Sequence, residues 1–575
     1  MRLFIKSLWL APLTILLGLF FYLLNIRYPF IGHDYHVFIF RLLAGKWHFL
    51  HQGLSPFRYA VHFGGGMPMY GDPEGSYYSL MQLFIIVIHP WLAIQLAIGI
   101  TMALGYVGWY LFGRDIIHLT KPWAHAFAVV ILTNGFYLAH MAVGHIVYHT
   151  FPMVGFLFWL LLERKRDSSS SLLLKACLFS LIFAYIFYGG GYFVLILAVL
   201  GFIFALPFDF ALSRFPFTER LKILAIRILA YGLGALLICS SKLVSVYSLM
   251  RFFPRTTSLA QFQPDTSALL FVMKAFWFIP QRAHLFNGTP WRPHESTMLL
   301  SPITLIGIFS SLFLLWIFKD YWRKRWLKLS FLAIYSGFLF IFFLQLTRGY
   351  GFLVQPLVHF FPFSSIRVAQ RFLYVFSLFV STFGVWSLYA FIKQWRPGAS
   401  NIVAISSIII SLTFFVTGNY ALINNDLDIR VEYDSWKKNS LPAITQSLSL
   451  PITEIQDIWP NLLGNSSLGV PSAVFYFHNI DSLHVGPVTD QQDGFYNLIN
   501  PSCYQFPTEN NCKPGDRIPV SDRENFENFR KGLPTQWKLS SLQKIADATS
   551  LITLVTIIVL FITEVIPFSF FRLRK

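Results

Sequence analysis

The chain has 575 residues, of which 55% are hydrophobic, 18% aromatic and only 13% charged. A soluble chain carries about a quarter charged residues, so that class is excluded. The net charge of +18 does not point to nucleic acid: residues 419–548 hold 10 basic and 15 acidic residues, a balance of −5, against 35 and 12 elsewhere, a balance of +23. Most of that excess lies in short loops between apolar stretches, where the positive-inside rule puts it.

A helix needs about 20 mainly apolar residues to cross the hydrocarbon core. The pattern predicts twelve such spans, at 8–26, 91–112, 123–140, 145–162, 172–188, 191–207, 223–241, 298–318, 329–346, 372–392, 401–418 and 549–570. With the amino terminus inside, every basic loop also falls inside, among them Glu163-Arg164-Lys165-Arg166, Arg323-Lys324-Arg325 and the tail Arg572-Leu573-Arg574-Lys575. The first block is not a cleaved leader alone, because the other spans follow it. The stretch 77–90 is apolar but short, and reads as an interfacial or re-entrant helix.

The expected fold is an all-α polytopic membrane protein with a small extracytoplasmic domain of mixed or irregular structure before the last helix. Residues 1–418 form the transmembrane domain, with outside loops 27–90, 242–297 and 347–371. Residues 419–548 form the outside domain, and 549–575 the final helix with a basic cytoplasmic tail. Cys177 and Cys239 fall within spans and read as packing residues. Cys503 and Cys512 share the outside domain and suit a disulfide in an oxidising compartment, with two free thiols the alternative.

The first outside loop is the richest in chemistry. It opens with Gly32-His33-Asp34-Tyr35-His36 and continues through Gly64-Gly65-Gly66-Met67-Pro68 to Gly71-Asp72-Pro73-Glu74-Gly75. Asp34 stands at the mouth of a membrane helix, where a charge is costly unless it has a partner or a task; its other reading is a helix cap. Asp72 and Glu74 read as further catalytic carboxylates or as turn residues. A carboxylate within hydrogen-bond reach can take the proton from an attacking hydroxyl, and a phosphate leaving group needs fixed positive charge. Cations for that purpose are Lys242, Arg255, Arg367 and Arg371, with lipid-headgroup anchoring the alternative for the arginines. The histidines at 33, 36, 48, 51 and 62, and at 140, 145 and 149, match no standard zinc spacing. Asp34, Asp72 and Glu74 better suit a divalent magnesium or manganese ion.

Four segments carry a family resemblance. They are Gly32-His33-Asp34 with Met67-Pro68 and Gly71–Tyr78; Ala142-Val143-Gly144-His145 leading to Pro152; Ser241-Lys242-Leu243 with Phe253-Pro254-Arg255; and Pro362–Arg371. Together they resemble the GT-C superfamily of membrane glycosyltransferases, most closely its bacterial YfhO-type branch. The resemblance covers roughly 30–390. It implies that Asp34 is the catalytic base or a metal ligand, and that a polyprenyl-phosphate-linked sugar binds at the outer face of a bacterial inner membrane. The first loop lacks a strict Asp-x-Asp, and the 419–548 domain matches nothing in the family.

The expected function is inverting sugar transfer to an envelope glycan, polymer or protein. Lys242, Arg255, Arg367 and Arg371 would hold the phosphate, with His145 a lesser candidate. Glu295 would orient donor or acceptor, or else be a simple interfacial carboxylate. The alternatives are a transporter or flippase of a lipid-linked glycan, and a non-catalytic envelope assembly protein. A transporter calls for ionisable residues near the bilayer midplane; the nearly charge-free spans favour an interfacial active site.

Overall fold

A helix closes its backbone hydrogen bonds within itself except at its ends, which hydrocarbon requires of any lipid-exposed segment. The long apolar runs fold accordingly. The computed structural model describes residues 10–28, 31–32, 34–60, 67–163, 167–212, 215–252, 262–264, 267–277, 283–285, 290–291, 293–317, 326–348, 351–357, 360, 368–426, 496–499, 517–518 and 539–572.

In chain order the main helices are α1 (Ala11–Asn25), α2 (Tyr35–Gln52), α3 (Leu80–Phe84), α4 (Pro90–Asp115), α5 (Lys121–Leu132), α6 (Gly135–Val143), α7 (Val154–Leu162) and α8 (Ser169–Tyr188). They continue as α9 (Tyr192–Leu212), α10 (Phe217–Phe252), α11 (Ala268–Trp277), α12 (Pro302–Ile317), α13 (Trp326–Arg348), α14 (Leu373–Trp395), α15 (Ser400–Asp426) and α16 (Ser541–Arg572). A 3-10 segment, Ile146–Met153, leads into α7. Among the described residues the strands are few and short: Tyr59–Ala60 pairs with Met67–Pro68, Phe262–Pro264 with Ala283–Leu285, that strand with Pro290–Trp291, and Tyr496–Ile499 with Arg517–Ile518, all antiparallel.

Among the described residues seven helices (α4, α8, α9, α10, α14, α15 and α16) are long and apolar enough to cross a membrane, and α5 with α6, bent by 41°, makes an eighth if counted as one span. Four shorter apolar helices, Ala11–Asn25, Ile146–Leu162, Pro302–Leu314 and Ala333–Leu346, coincide with further predicted segments. The outer surfaces of α10 and α16 expose Leu229 at 72% and Leu551 at 63%. That is the pattern of helices facing lipid rather than water. The chain is a polytopic helical membrane protein.

Local chemistry sets the helix ends. Pro90 and Pro122 occupy first turns, where no backbone donor is needed. The hydroxyl of Ser168 accepts from the Ser171 amide to start α8. The bend between α5 and α6 falls at Asn134, whose side chain accepts from the Phe136 amide and donates to Ser377 Oγ at 3.0 Å. Within 77–90 the five-residue α3 is the one helix ahead of the start of α4 at Pro90, and it is too short to cross; its Gln82 donates to Leu42 O at 3.0 Å.

Close helix crossings use small residues, as membrane bundles do in place of a hydrophobic drive. A Cβ on Gly307 of α12 would lie 1.9 Å from the Gly384 carbonyl oxygen of α14. Helix α10 runs well beyond the predicted 223–241 and carries three buried cations, Arg220, Arg227 and Lys242. The expectation of nearly charge-free spans is therefore corrected here. Arg220 forks onto Asp209 (2.6 and 3.1 Å) and donates to the carbonyls of Leu162 and Glu163. Arg227 donates to Asp167 Oδ2 at 2.8 Å and to Leu161 O at 3.1 Å. Both arginines thus satisfy the orphan carbonyls at the end of α7. Cys177 and Cys239 are both buried, within α8 and α10. Of the predicted outside domain, α15 continues to Asp426 and α16 begins at Ser541; Cys503 and Cys512 lie outside the described residues.

Candidate active site

Two glycines build the entrance to the site. Gly32 has φ +69°, and a Cβ there would lie 2.3 Å from Ala142 O; Gly144 has φ +107°, and a Cβ there would lie 2.5 Å from Tyr35 N. The loop before α2 and the turn after α6 therefore pack backbone to backbone, a contact no side chain would permit. The Asp34 amide donates to Val143 O at 3.1 Å, and the Tyr35 hydroxyl donates to Met141 O. Two stretches more than a hundred residues apart are clamped together at this point.

The clamp sets Asp34 against His145, with Oδ2 2.6 Å from Nε2. Asp34 occupies the N-cap position of α2, yet its side chain caps no amide. The capping alternative is therefore not what the carboxylate does. Around this pair stand His140 at the end of α6 and His294-Glu295, which lie in the 3-10 turn Pro293–Glu295 before α12. The three imidazole rings lie 5.3, 5.6 and 6.0 Å apart, centroid to centroid. His140 Nε2 and His294 Nε2 each lie 3.5 Å from a Glu295 oxygen, at the outer limit of contact.

Arg371, at the entry to α14, forks onto Glu295 with Nε to Oε2 at 2.7 Å and Nη2 to Oε1 at 2.5 Å. The guanidinium also stacks over Tyr148 and Phe193, at 5.8 and 5.5 Å from the ring centroids. Burial alone would push the Glu295 carboxyl up, but the Arg371 guanidinium outweighs it and holds the group well below the usual carboxylate range. Burial pushes the His294 imidazole down. The centre is thus two carboxylates, three imidazoles and one guanidinium beneath an aromatic wall.

The other predicted residues divide. The Asp72 carboxylate is buried, pairs with Arg41 at 3.1 Å, and accepts the Glu74 amide at 2.9 Å in an Asx turn. Glu74 is half-buried, and its carbonyl packs on Gly190. Lys242 is buried under the same loop and donates to the carbonyls of Gly75 (2.5 Å), Phe187 (3.2 Å) and Tyr188 (3.5 Å). It acts as an internal post holding loop to helix end. Asp34, Asp72 and Glu74 do not converge as one ligand set among the described residues; His140, His145 and Glu295 do, with one ligand atom from each within 4.8 Å of the others. Arg255 and Arg367 lie outside the described residues.

Sequence reasoning passed over His140, His294 and Arg41 as site residues. The available signals were the five-residue spacing of His140 and His145 and the His294-Glu295 pair directly before a span.

The chain matches no protein-family model, and no curated protein or solved structure is significantly similar to it. Fold and site together define a polytopic helical membrane protein with a buried histidine–carboxylate–arginine centre where α2, α6, α12 and α14 begin or end.

Proposed function

We propose that this protein is a membrane glycosyltransferase of GT-C type, with twelve spans and both termini in the cytoplasm of a bacterial cell. It transfers a sugar from a polyprenyl-phosphate donor to an extracytoplasmic glycan, polymer or protein. The observation that carries the reading is the Asp34–His145 pair, set by opposed glycines at helix ends; the positive-inside rule supports an outside position for them. In the reaction Asp34 takes the proton of the acceptor hydroxyl. The hydroxyl oxygen bonds to the anomeric carbon from the face opposite the leaving group, and polyprenyl phosphate departs with the bonding electron pair. The imidazole of His145 holds the carboxylate in place, which leaves it capacity for the acceptor, since a carboxylate offers about four acceptor positions. Arg371 supplies fixed positive charge beside the centre.

A transport path is less favoured. The buried cations Arg220 and Lys242 are each engaged by fixed carbonyls.

The test is envelope glycan analysis by mass spectrometry in cells lacking the protein, complemented with wild type or Asp34→Asn at matched expression. A sugar lost in the knockout should return with wild type. With Asp34→Asn its transfer should fall about 100-fold or more, as removal of a general base does. Full restoration by Asp34→Asn would refute the assignment of Asp34.

A further inference from the structure

We propose that His140, His145 and Glu295 form a binding site for a divalent transition-metal ion of the zinc class. The argument starts from which nitrogen of each ring carries its proton. The Nδ1 of His140 lies 2.8 Å from Phe136 O, so it is the donor and Nε2 carries the lone pair. That nitrogen is fully buried, has no hydrogen-bond partner, and faces Glu295 Oε2 at 3.5 Å. Two electron-pair donors then face each other in a buried position, an arrangement that a cation between them would relieve.

His145 is arranged in the complementary sense. Its Nε2 is held by the Asp34 carboxylate at 2.6 Å, and its Nδ1 is buried with no hydrogen-bond partner. Each ring therefore gives its N–H to an oxygen and presents the other nitrogen. Metal-binding histidines are oriented by this kind of outer contact, with a carbonyl or a carboxylate behind the ring. Arg371 does the same for Glu295: it takes one lone pair of each oxygen and leaves the carboxylate ionised.

One ring nitrogen of each histidine and one Glu295 oxygen lie within 4.8 Å of one another. Ligands about 2.1 Å from a shared ion sit roughly 3–4 Å apart, so closure needs only small side-chain movements. Two imidazoles and one carboxylate suit zinc or its neighbours, whereas magnesium prefers oxygen ligands throughout. Three protein ligands also leave a coordination position open for an outside oxygen. This set differs from the all-carboxylate one that the sequence offers, because Asp72 is paired with Arg41.

The test uses purified full-length protein in lipid nanodiscs, with no donor lipid or acceptor present. Bound zinc is measured by mass spectrometry of the metal after equilibrium dialysis, and cobalt(II) is substituted as an optical probe. Wild type should hold one zinc per chain against excess magnesium, and the cobalt form should show the visible bands of a low-coordinate nitrogen–oxygen site. His140→Gln, His145→Gln and Glu295→Gln should each abolish stoichiometric binding. Asp34→Asn should weaken it about 10–100-fold by loosening His145. His51→Ala, at an exposed position, should leave it unchanged. Absence of stoichiometric zinc and of cobalt bands in monodisperse wild type would overturn the proposal. So would zinc retained at wild-type affinity by the three ligand variants. Because no sugar substrate enters the assay, either result is separate from the glycosyltransferase reading.

Discussion

Replacing Gly144 by alanine tests whether two opposed glycines set the Asp34–His145 pair. At φ +107° an alanine bears left-handed backbone strain of about 1–3 kcal/mol. Its Cβ would also lie 2.5 Å from Tyr35 N and 2.9 Å from Asp34 C, both backbone atoms that cannot rotate away. Overpacking of that kind costs about 1–3 kcal/mol, so the two effects together are about 2–6 kcal/mol, if the turn does not open. If it does open, the strain is relieved by moving Asp34 off His145, and the loss appears in the site instead. Two controls separate the contributions. Gly53 has φ +63° with nothing within 4 Å of its Cβ position, so Gly53→Ala carries strain alone. Gly232, within α10, has neither strain nor a close neighbour, so Gly232→Ala should be neutral or slightly stabilising. Thermal unfolding in lipid nanodiscs, with zinc binding or sugar transfer measured alongside, gives the comparison. Gly144→Ala should lower the unfolding temperature more than Gly53→Ala, or should lose the site function that Gly53→Ala keeps. If it matches Gly53→Ala in both respects, the clamp does not govern the site.

Lys242→Met should behave as the loss of an internal post. The Phe187 carbonyl keeps a backbone donor from Gly190, so the loss falls mainly on the Gly75 carbonyl, at about 1–3 kcal/mol, and the unfolding temperature should drop. A variant of normal stability with weakened donor binding alone would instead return Lys242 to the phosphate-binding role. Asp167 provides a pH signature at the other end of the bundle. Burial opposes its ionisation, but hydrogen bonds from Lys175 and Arg227 outweigh this and hold its carboxyl below the ordinary value of 3.8. A folded-state value below the unfolded one adds stability above the ordinary range, which is lost as pH falls through the folded value. Wild type should therefore lose more of its unfolding temperature than Asp167→Asn on acidification from pH 7 to about pH 3. Equal losses would show that the Asp167 cluster adds no acid-sensitive stability.

The membrane class and the positions of the helices were legible in the sequence because both depend on local sums. About 20 apolar residues either cross hydrocarbon or do not, and no distant partner changes that. The described helices from α4 to α16 accordingly fall on predicted segments, except α11, which lies in the predicted outside loop 242–297, and several run past the predicted ends, as α10 does. Asp34 was also legible, as a carboxylate at a helix mouth, and His145 entered as a lesser candidate through the Ala142-Val143-Gly144-His145 segment of the family resemblance. Their pairing was not, since it depends on positive φ angles at Gly32 and Gly144 and on two loops meeting across the bundle. Glu295 and Arg371 stand 76 positions apart, and no periodicity in the chain links them. What joins them is the crossing of α12 and α14 at Gly307 and Gly384, which goes with the meeting of the 3-10 turns that precede the two helices. Hydropathy reports how each segment meets the solvent; which polar ends converge is decided by helix packing, a property of segment pairs rather than of any one segment.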